Sequence, residues 1–430
     1  MKMGTVPLLW FALFCSSLAF TACGAAGIRL ELTHVDAKAN LTVEERMRRA
    51  MARTQHRLVA SMDGTAPIHW ATSQYIAEYR IGDPPQQAEA IIDTGSNLVW
   101  TQCSGCQPNN CFSQNLPNYD PSQSSTAQAV ACGDAACSLG SETRCTSDGT
   151  ACEVLTSYGA GTIFGQLGTE EFTFGSEEVT LAFGCITATR LTQGSLDGAS
   201  GIIGLGRGGL SIVSQLSDTK FAYCLTPYFT NTVDPSHLFV GSSAGLSPNN
   251  APVTSVPFVA NPTDDPYNTF YYLPLTGITV GETMLDIPAG AFDLRQVGPG
   301  QWAGTLIDSG SPFTTLVDVA YQALRDELAR QLGDSLVQPP SQRFDLCVAR
   351  MDMSRLVPSL VLHFGSGGGD LVVPPENYWA PVDTTTSCLM VFQSPDTTTT
   401  IGNFMQQDMH LLYDLANGML SFQTEDCSSM

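Results

Sequence analysis

One short motif occurs twice in this 430-residue chain, and this repeat constrains the fold more than any other feature. Ala90–Ser96 reads AIIDTGS and Thr305–Ser311 reads TLIDSGS, so each copy is an apolar run that ends in Asp-[Thr/Ser]-Gly-Ser. An apolar-Gly element follows each copy, at Gly201–Gly204 and at Thr400–Asn403. A single Asp-Thr-Gly occurs by chance, but the repeated pattern with matching flanks indicates two lobes built on one plan.

The repeat predicts a pair of catalytic carboxylates, Asp93 and Asp308. Each would lie at a tight turn after a buried strand, where glycine allows close backbone approach. Two facing carboxylates do not both ionise easily, so they share a proton. One then acts as a base on a water molecule, and the other donates to the scissile carbonyl oxygen. Which aspartate has which role belongs to the coupled pair and stays open. The alternative, two strand-end turns with ordinary surface aspartates, does not account for the repeat.

Composition favours a mainly β chain with two domains. Hydrophobic residues make up 43% and charged residues 14%, and Gly (39) and Pro (25) are frequent, as in short strands joined by turns. We predict strands at Tyr75–Ile81 and Ala88–Ile92, and a hairpin over Glu153–Phe174. Helical patterns are few, at Leu210–Leu216 and Asp318–Leu332.

The net charge of −22 argues against a nucleic-acid partner and against an anionic membrane surface, since both need clustered Lys and Arg. The acidity fits either plain solubility or adaptation to acid conditions. The six histidines are scattered without ligand spacing, and we expect no metal and no cofactor.

Residues 1–26 have the pattern of a signal peptide. Lys2 precedes an apolar stretch, Val6–Phe20, and small residues allow cleavage after Ala22 or Ala26. No later apolar run reaches about 18 residues, so we expect no transmembrane helix. We therefore predict entry into the secretory pathway, with the extracellular space (the apoplast) favoured over the vacuole.

Residues 27–65 differ from the rest of the chain and are interpreted as a pro-segment. Thr42 and Glu45 fit a helix capping box. Seven of the 19 Lys and Arg lie between Arg29 and Arg57, whereas the chain after residue 65 contains only 11 Lys and Arg but 36 Asp and Glu. A basic helix that precedes an acidic body indicates a segment whose arginines pair with ionised carboxylates. Acid would protonate those carboxylates and release the segment. The alternative is an exposed helix that merely opens the fold. The mature N-terminus is placed loosely between Ser61 and Gln74.

Twelve of the 14 cysteines begin at Cys103, and in a secreted chain they predict up to six disulfides. Cys15 and Cys23 lie in or beside the signal peptide. A zinc site at Cys103-x-x-Cys106 and Cys132-x4-Cys137 is the alternative, which an oxidising compartment disfavours.

Together these residues resemble the pepsin-like aspartic proteases, and within them the nepenthesin-type plant enzymes. The likeness extends over essentially the whole chain after the signal peptide and rests on five stretches: Tyr75–Pro85, Asn97–Cys103, the cysteine-dense run 103–152, Gly201–Leu216 and Ile401–Gln407. The resemblance implies a mainly β, bilobal fold with two pseudo-symmetric β-barrel-like lobes and a central cleft. Residues 66–245 would form the N-terminal lobe with Asp93 and the flap, and residues 246–430 the C-terminal lobe with Asp308.

The resemblance also implies roles for individual residues. Asp93 and Asp308 would be the catalytic pair, Tyr158 the flap tyrosine and Trp100 its support. Three residues would line the cleft floor and contact substrate: Gly95, Gly310 and Ser311. Independently of the resemblance, Thr94 and Ser309 follow the two aspartates and could fix the loops with their hydroxyls and backbone amides. Cys347–Cys388 and Cys224–Cys427 would be disulfides, with the first eight cysteines unassigned.

The sequence departs from the family pattern near the cleft. Ala160 and Thr162 replace the Asp and Ser that usually follow the flap Tyr-Gly, and Asn97 replaces a common Asp. These changes remove no catalytic group, but they bear on substrate preference and pH optimum.

We therefore expect a secreted aspartic endopeptidase, made as a zymogen and active at acid pH. Its partners would be a peptide substrate and its own pro-segment, and it would be a monomer. The rival hypothesis is a non-catalytic inhibitor or binding protein on the same fold, and a weaker one is a storage or structural protein.

One other motif is typical of dinucleotide sites. Gly204–Gly209 matches the G-x-G-x-x-G of such sites, but no enclosing βαβ unit is evident.

Overall fold

The computed structural model describes residues 27–37, 41, 42, 45, 46, 49, 75–106, 110–158, 161–192, 195, 196, 198–227, 229, 234–247, 251–365 and 369–430. The predicted signal peptide, most of the predicted pro-segment helix, and Gly159 and Ala160 in the flap lie outside the described residues.

The first half of the chain contains twelve strands among its described residues: β1 (Ile28–His34), β2 (Tyr75–Ile81), β3 (Gln86–Asp93), β4 (Trp100–Gln102), β5 (Gln128–Ala129), β6 (Thr143–Cys145), β7 (Cys152–Tyr158), β8 (Gly161–Phe174), β9 (Glu177–Leu191), β10 (Gly201–Gly204), β11 (Lys220–Cys224) and β12 (Ser236–Val240). The predicted strands and the predicted hairpin correspond to β2, β3, β7 and β8.

The second half is also mainly β, with shorter strands. They are β13 (Thr254–Pro257), β14 (Leu275–Val280), β15 (Thr283–Met284), β16 (Arg295–Gly298), β17 (Gln301–Ala303), β18 (Thr305–Ile307), β19 (Thr314–Leu316), β20 (Leu336–Val337), β21 (Cys347–Ala349), β22 (Leu360–Phe364), β23 (Asp370–Val373), β24 (Trp379–Pro381), β25 (Thr386–Leu389), β26 (Val391–Gln393), β27 (Thr399–Ile401), β28 (Met409–Asp414) and β29 (Met419–Thr424).

The described α-helices are α1 (Ile212–Gln215), α2 (Asp318–Leu332) and α3 (Met353–Leu356). The predicted bounds of α2 agree with the structure, because its apolar residues recur at helical spacing and Gly333 ends the helix with a positive φ of 48°. α1 is shorter than predicted, since Ser211 caps it and accepts a hydrogen bond from the Ser214 N–H.

A continuous sheet joins the two halves. Its order begins β13-β29-β28-β11-β12-β1-β2-β3-β10, so strands from the second half lie beside strands from the first. The junction is the antiparallel pair β11–β28, where Phe221 stacks on Tyr413 with ring centroids 4.3 Å apart. The remaining strands of the second half form four smaller sheets. The predicted mainly β, bilobal pepsin-like fold is confirmed.

The start of the predicted pro-segment contributes a strand to this joining sheet. β1 lies between β12 and β2, with Leu30 opposite Leu238 and Leu32 opposite Ala77. Its alternating burial places Ile28, Leu30 and Leu32 in the core. The predicted capping box is present, because the Glu45 N–H donates to Thr42 Oγ1 at 3.2 Å and the Thr42 N–H donates to Glu45 Oε2 at 2.9 Å.

Six disulfides link the twelve cysteines that follow the predicted signal peptide: Cys103–Cys185, Cys106–Cys111, Cys132–Cys145, Cys137–Cys152, Cys224–Cys427 and Cys347–Cys388. The last two are the pairs that the family resemblance implies. The four cysteines of the alternative zinc site are all disulfide-bonded, so none is left as a thiolate ligand.

Two histidines of the joining sheet are buried. His237 on β12 and His410 on β28 both lie opposite Cys224 of β11, and they are only 1% and 2% exposed. Among the described atoms, none of their four ring nitrogens has a hydrogen-bond partner. Burial lowers the pKa of both imidazoles, because the charged form is poorly solvated there.

These histidines predict a loss of stability in acid. Because their folded pKa values lie below the unfolded value of about 6.5, the unfolded chain binds more protons and stability falls as the pH drops through that value. We expect the double variant His237→Leu/His410→Leu to lose about 2–4 °C less in Tm than the wild type between pH 7 and pH 4. Calorimetry at both pH values is the measurement.

The control is His363→Leu, whose imidazole hydrogen-bonds Thr279 Oγ1 at 2.7 Å and Asp370 Oδ1 at 2.8 Å. This variant should keep the wild-type loss. An equal loss in the double variant and the wild type would show that the buried pair does not control acid stability.

Candidate active site

Asp93 and Asp308 occupy equivalent positions at the ends of two buried strands. β3 pairs in parallel with β10, which places Gly204 beside Asp93, and β18 pairs in parallel with β27. The Gly206 N–H donates to the Ser96 backbone oxygen at 2.8 Å, and the Asn403 N–H donates to the Ser311 backbone oxygen at 2.7 Å. Both copies of the repeat therefore end in the same local structure.

Each carboxylate is held by the loop that follows it, in the same way in both copies. The Gly95 N–H donates to Asp93 Oδ1 at 2.9 Å, and the Gly310 N–H donates to Asp308 Oδ1 at 2.8 Å. The second oxygen of each aspartate accepts from a hydroxyl at 2.5 Å, from Ser96 or from Ser311. Ser311 is thus a partner of Asp308 in addition to lining the predicted cleft floor.

The two loops are joined to each other across the lobes by Thr94 and Ser309. The Thr94 N–H donates to Ser309 Oγ at 3.1 Å, and the Ser309 N–H donates to Thr94 Oγ1 at 2.9 Å. Both residues are fully buried, at 1% and 0% exposure. This reciprocal pair fixes the spacing of the two loops.

The geometry of the glycines shows that each carboxylate lies against the opposite loop. A Cβ atom on Gly310 would lie 2.2 Å from Asp93 Oδ1, and one on Gly95 would lie 3.0 Å from Asp308 Oδ1. Both aspartates are 1% exposed. The two loops therefore bring both buried carboxylates to one place between them.

The candidate flap residue Tyr158 reaches the same region. Its hydroxyl accepts a hydrogen bond from Trp100 Nε1 at 2.9 Å. The pKa of Tyr158 is raised well above its usual value by burial, and further by the negative charges of Asp93 and Glu142. The phenol therefore stays neutral, and Trp100 holds its hydroxyl by this hydrogen bond.

Two family models match the chain. They are described as the xylanase inhibitor N-terminal domain, over residues 75–242, and the xylanase inhibitor C-terminal domain, over residues 270–424. Aspartic proteinase nepenthesin-1 of Nepenthes gracilis is 36% identical over 94% of this chain and 91% of its own length. The chain belongs to the plant pepsin-like aspartic protease family. Aspartyl protease 37 of Oryza sativa subsp. japonica is 31% identical over 99% of both chains.

Solved structures share the pepsin-like fold at lower identity. Basic 7S globulin from soybean matches with a TM-score of 0.63 and 19% identity, over 93% of this chain and 97% of its own. Conglutin gamma from lupine seeds matches with a TM-score of 0.66 and 18% identity, over 94% and 98%. These matches bear on the fold alone.

Several polar residues behind the loops of this family member were given no role from the sequence. Asn403 Nδ2 donates to the Ser309 oxygen at 2.8 Å, and Gln406 Nε2 donates to the Asp308 oxygen at 3.3 Å. Gln406 also accepts from the Tyr223 hydroxyl at 2.5 Å. Both Asn403 and Gln406 lie in the Ile401–Gln407 stretch that follows the second motif, and this position was the sequence feature that could have indicated their role.

Glu142 is the other residue that the sequence did not indicate. It lies in the cysteine-dense run, and its Oε1 accepts from Asn97 Nδ2 at 3.0 Å.

Among the residues that the structure describes, no three His, Cys, Asp or Glu side chains are arranged to hold a metal ion. Nor does any helix in the described ranges have the length and apolarity needed to cross a membrane.

Proposed function

We propose that this chain is an aspartic endopeptidase that hydrolyses peptide bonds at acid pH. The observation that carries the proposal is the pair of buried aspartates, each held by matching hydrogen bonds and each set against the other's loop. Curated relatives named as aspartic proteinases support the same conclusion.

The proposed mechanism uses a water molecule between the two carboxylates. The ionised aspartate removes a proton from this water, whose oxygen attacks the peptide carbonyl carbon. The protonated aspartate donates to the carbonyl oxygen, and a tetrahedral intermediate forms. The hydrogen bonds from Gly95, Ser96, Gly310 and Ser311 hold the carboxylates in place, which lowers the cost of reaching this geometry.

The substrate would be an extended peptide lying across the cleft. The flap hairpin β7–β8 offers it a strand to pair with, and Gly95, Gly310 and Ser311 would contact its backbone. Tyr158, held by Trp100, would close over it. No cofactor enters this mechanism.

We further propose that the protein is a secreted monomer made as a zymogen. Residues 1–26 would be the signal peptide, 27–65 the pro-segment, and 66–245 and 246–430 the two lobes. In the pro-segment, Arg49 Nη1 lies 3.3 Å from Oδ1 of the buried Asp36, so one ion pair of the basic helix is within the segment itself. The extracellular space is favoured over the vacuole.

An inhibitor is the second candidate, because both family models carry the description of xylanase inhibitors. The test is cleavage of a denatured protein between pH 2 and 8 after acid treatment of the purified chain, alongside inhibition of a xylanase. We expect cleavage confined to pH values below about 5, where a shared proton persists, and no inhibition. Inhibition without cleavage, by a folded and processed chain, would establish the second candidate instead.

A further inference from the structure

Glu142 lies on a segment that two disulfides and a strand pairing fix against the flap. The disulfides Cys132–Cys145 and Cys137–Cys152 each join a cysteine that precedes Glu142 to one that follows it. β6 begins at the next residue and pairs with β7, which leads to the flap. The Glu142 backbone oxygen accepts from the Leu155 N–H at 2.9 Å. The position of the Glu142 backbone is therefore tied to that of the flap strand.

The Glu142 side chain reaches the first catalytic loop through Asn97. Its Oε1 accepts from Asn97 Nδ2 at 3.0 Å, and Asn97 Oδ1 accepts from the Gly208 N–H at 2.8 Å. Asn97 is only 6% exposed and directly follows Ser96, the residue whose hydroxyl donates to Asp93. A short chain of contacts thus links Glu142 to the carboxylate of Asp93.

The charge of Glu142 also acts at the site. The buried hydroxyl of Tyr158 experiences the negative charge of both Asp93 and Glu142. Between described residues, no ion pair includes Glu142. Its negative charge is therefore not offset by a directly paired cation.

The other charged groups on the surrounding elements form no described ion pair with Glu142. They include the Arg144–Glu153 pair at 3.2 Å, which is neutral overall, and Asp265, which accepts from Ser141 Oγ at 2.7 Å and adds negative charge. Arg207 is the nearby cation, and its guanidinium lies over the rings of Phe258 and Tyr271 at 4.7 and 5.1 Å.

We propose that Glu142 is a positioning residue of the active site, which holds the Asp93 loop through Asn97 and adds its negative charge to that of the aspartate pair. This inference rests on the proposed protease function. A nearby negative charge favours the protonated forms of the aspartates, so it moves both limbs of the pH–activity profile to higher pH. The link to the flap strand makes the disulfide-closed segment part of the site's framework.

The test compares kcat/KM of the processed full chain on a synthetic peptide between pH 2 and 7 for three single variants and one double variant. Glu142→Gln keeps an oxygen that can accept from Asn97 but removes the charge. It should move both limbs to lower pH by about half a unit, with the maximum within about threefold of the wild type. Glu178→Gln is the matched control, since it removes the charge of an exposed glutamate on β9, and its profile should overlay that of the wild type.

The third variant separates position from charge. Asn97→Asp sets a carboxylate against Glu142, and we expect kcat/KM at pH 5 to fall at least about tenfold. Adding Glu142→Gln should recover most of the loss, because the Gln amide can donate to the introduced carboxylate, whereas a general structural defect would not be rescued.

The outcomes distinguish this inference from the proposed function. An active wild type whose pH profile is unchanged in Glu142→Gln, or an Asn97→Asp loss that Glu142→Gln does not recover, would overturn the role of Glu142 and leave the protease function standing. A folded, processed wild type without activity at any pH would overturn both.

Discussion

Replacing Asp93 by Asn should lower kcat/KM by about 10³- to 10⁴-fold while leaving the fold intact. The amide cannot ionise, so the pair can no longer hold one proton between two carboxylates. Asn has nearly the same shape, and its oxygen can still accept from the Gly95 N–H, which in the wild type donates to Asp93 Oδ1 at 2.9 Å. The loss should therefore be chemical and not structural.

Asp308→Asn should have an effect of the same size, because its hydrogen bonds repeat those of Asp93. The double variant should be little worse than either single variant, since the two carboxylates act as a unit. The measurement is peptide cleavage between pH 2 and 7 by chains processed in trans, with Tm as the test of folding. Wild-type turnover in either folded single variant would contradict the shared-proton mechanism.

The local structure of the site follows closely from its sequence. An apolar run ending in Asp-[Thr/Ser]-Gly-Ser requires a buried strand and then a turn, and both copies have this structure because the same residues meet the same parallel partners. Thr94 and Ser309 could be predicted as supports, since a hydroxyl beside each aspartate suits a hydrogen bond between symmetric loops. The bounds of α2 followed from its apolar spacing and the glycine that ends it.

Features that depend on long-range packing could not be predicted in this way. Glu142 reaches Asn97, 45 positions earlier, only because the cysteine-rich segment folds back along the flap strand. The pairings of the first eight cysteines depend on the same folding. The pro-segment pattern indicated a basic helix, but not that Ile28–His34 would form a strand between β12 and β2. Strand order is a property of the whole sheet, and local periodicity does not contain it.

The two glycines of the site provide a second large effect with an internal control. Gly95 and Gly310 have the same role in the repeat, and neither has a positive φ, so alanine would not strain the backbone at either position. The space differs, because a Cβ on Gly310 would lie 2.2 Å from Asp93 Oδ1, whereas one on Gly95 would lie 3.0 Å from Asp308 Oδ1. The first separation requires a carboxylate or a loop to move, and the second requires a shift of a few tenths of an ångström.

We therefore expect Gly310→Ala to reduce kcat/KM by about 100-fold or more, since a displacement of about 1 Å at the reacting groups has effects of that size. Gly95→Ala should reduce it by about tenfold. Both variants should fold, with Gly310→Ala less stable by about 1–3 kcal/mol because of overpacking. Cleavage kinetics and calorimetry on the two proteins measure these effects. Equal losses, or a larger loss in Gly95→Ala, would show that the approach of Asp93 to the opposite loop does not control catalysis, because the two substitutions differ chiefly in that contact.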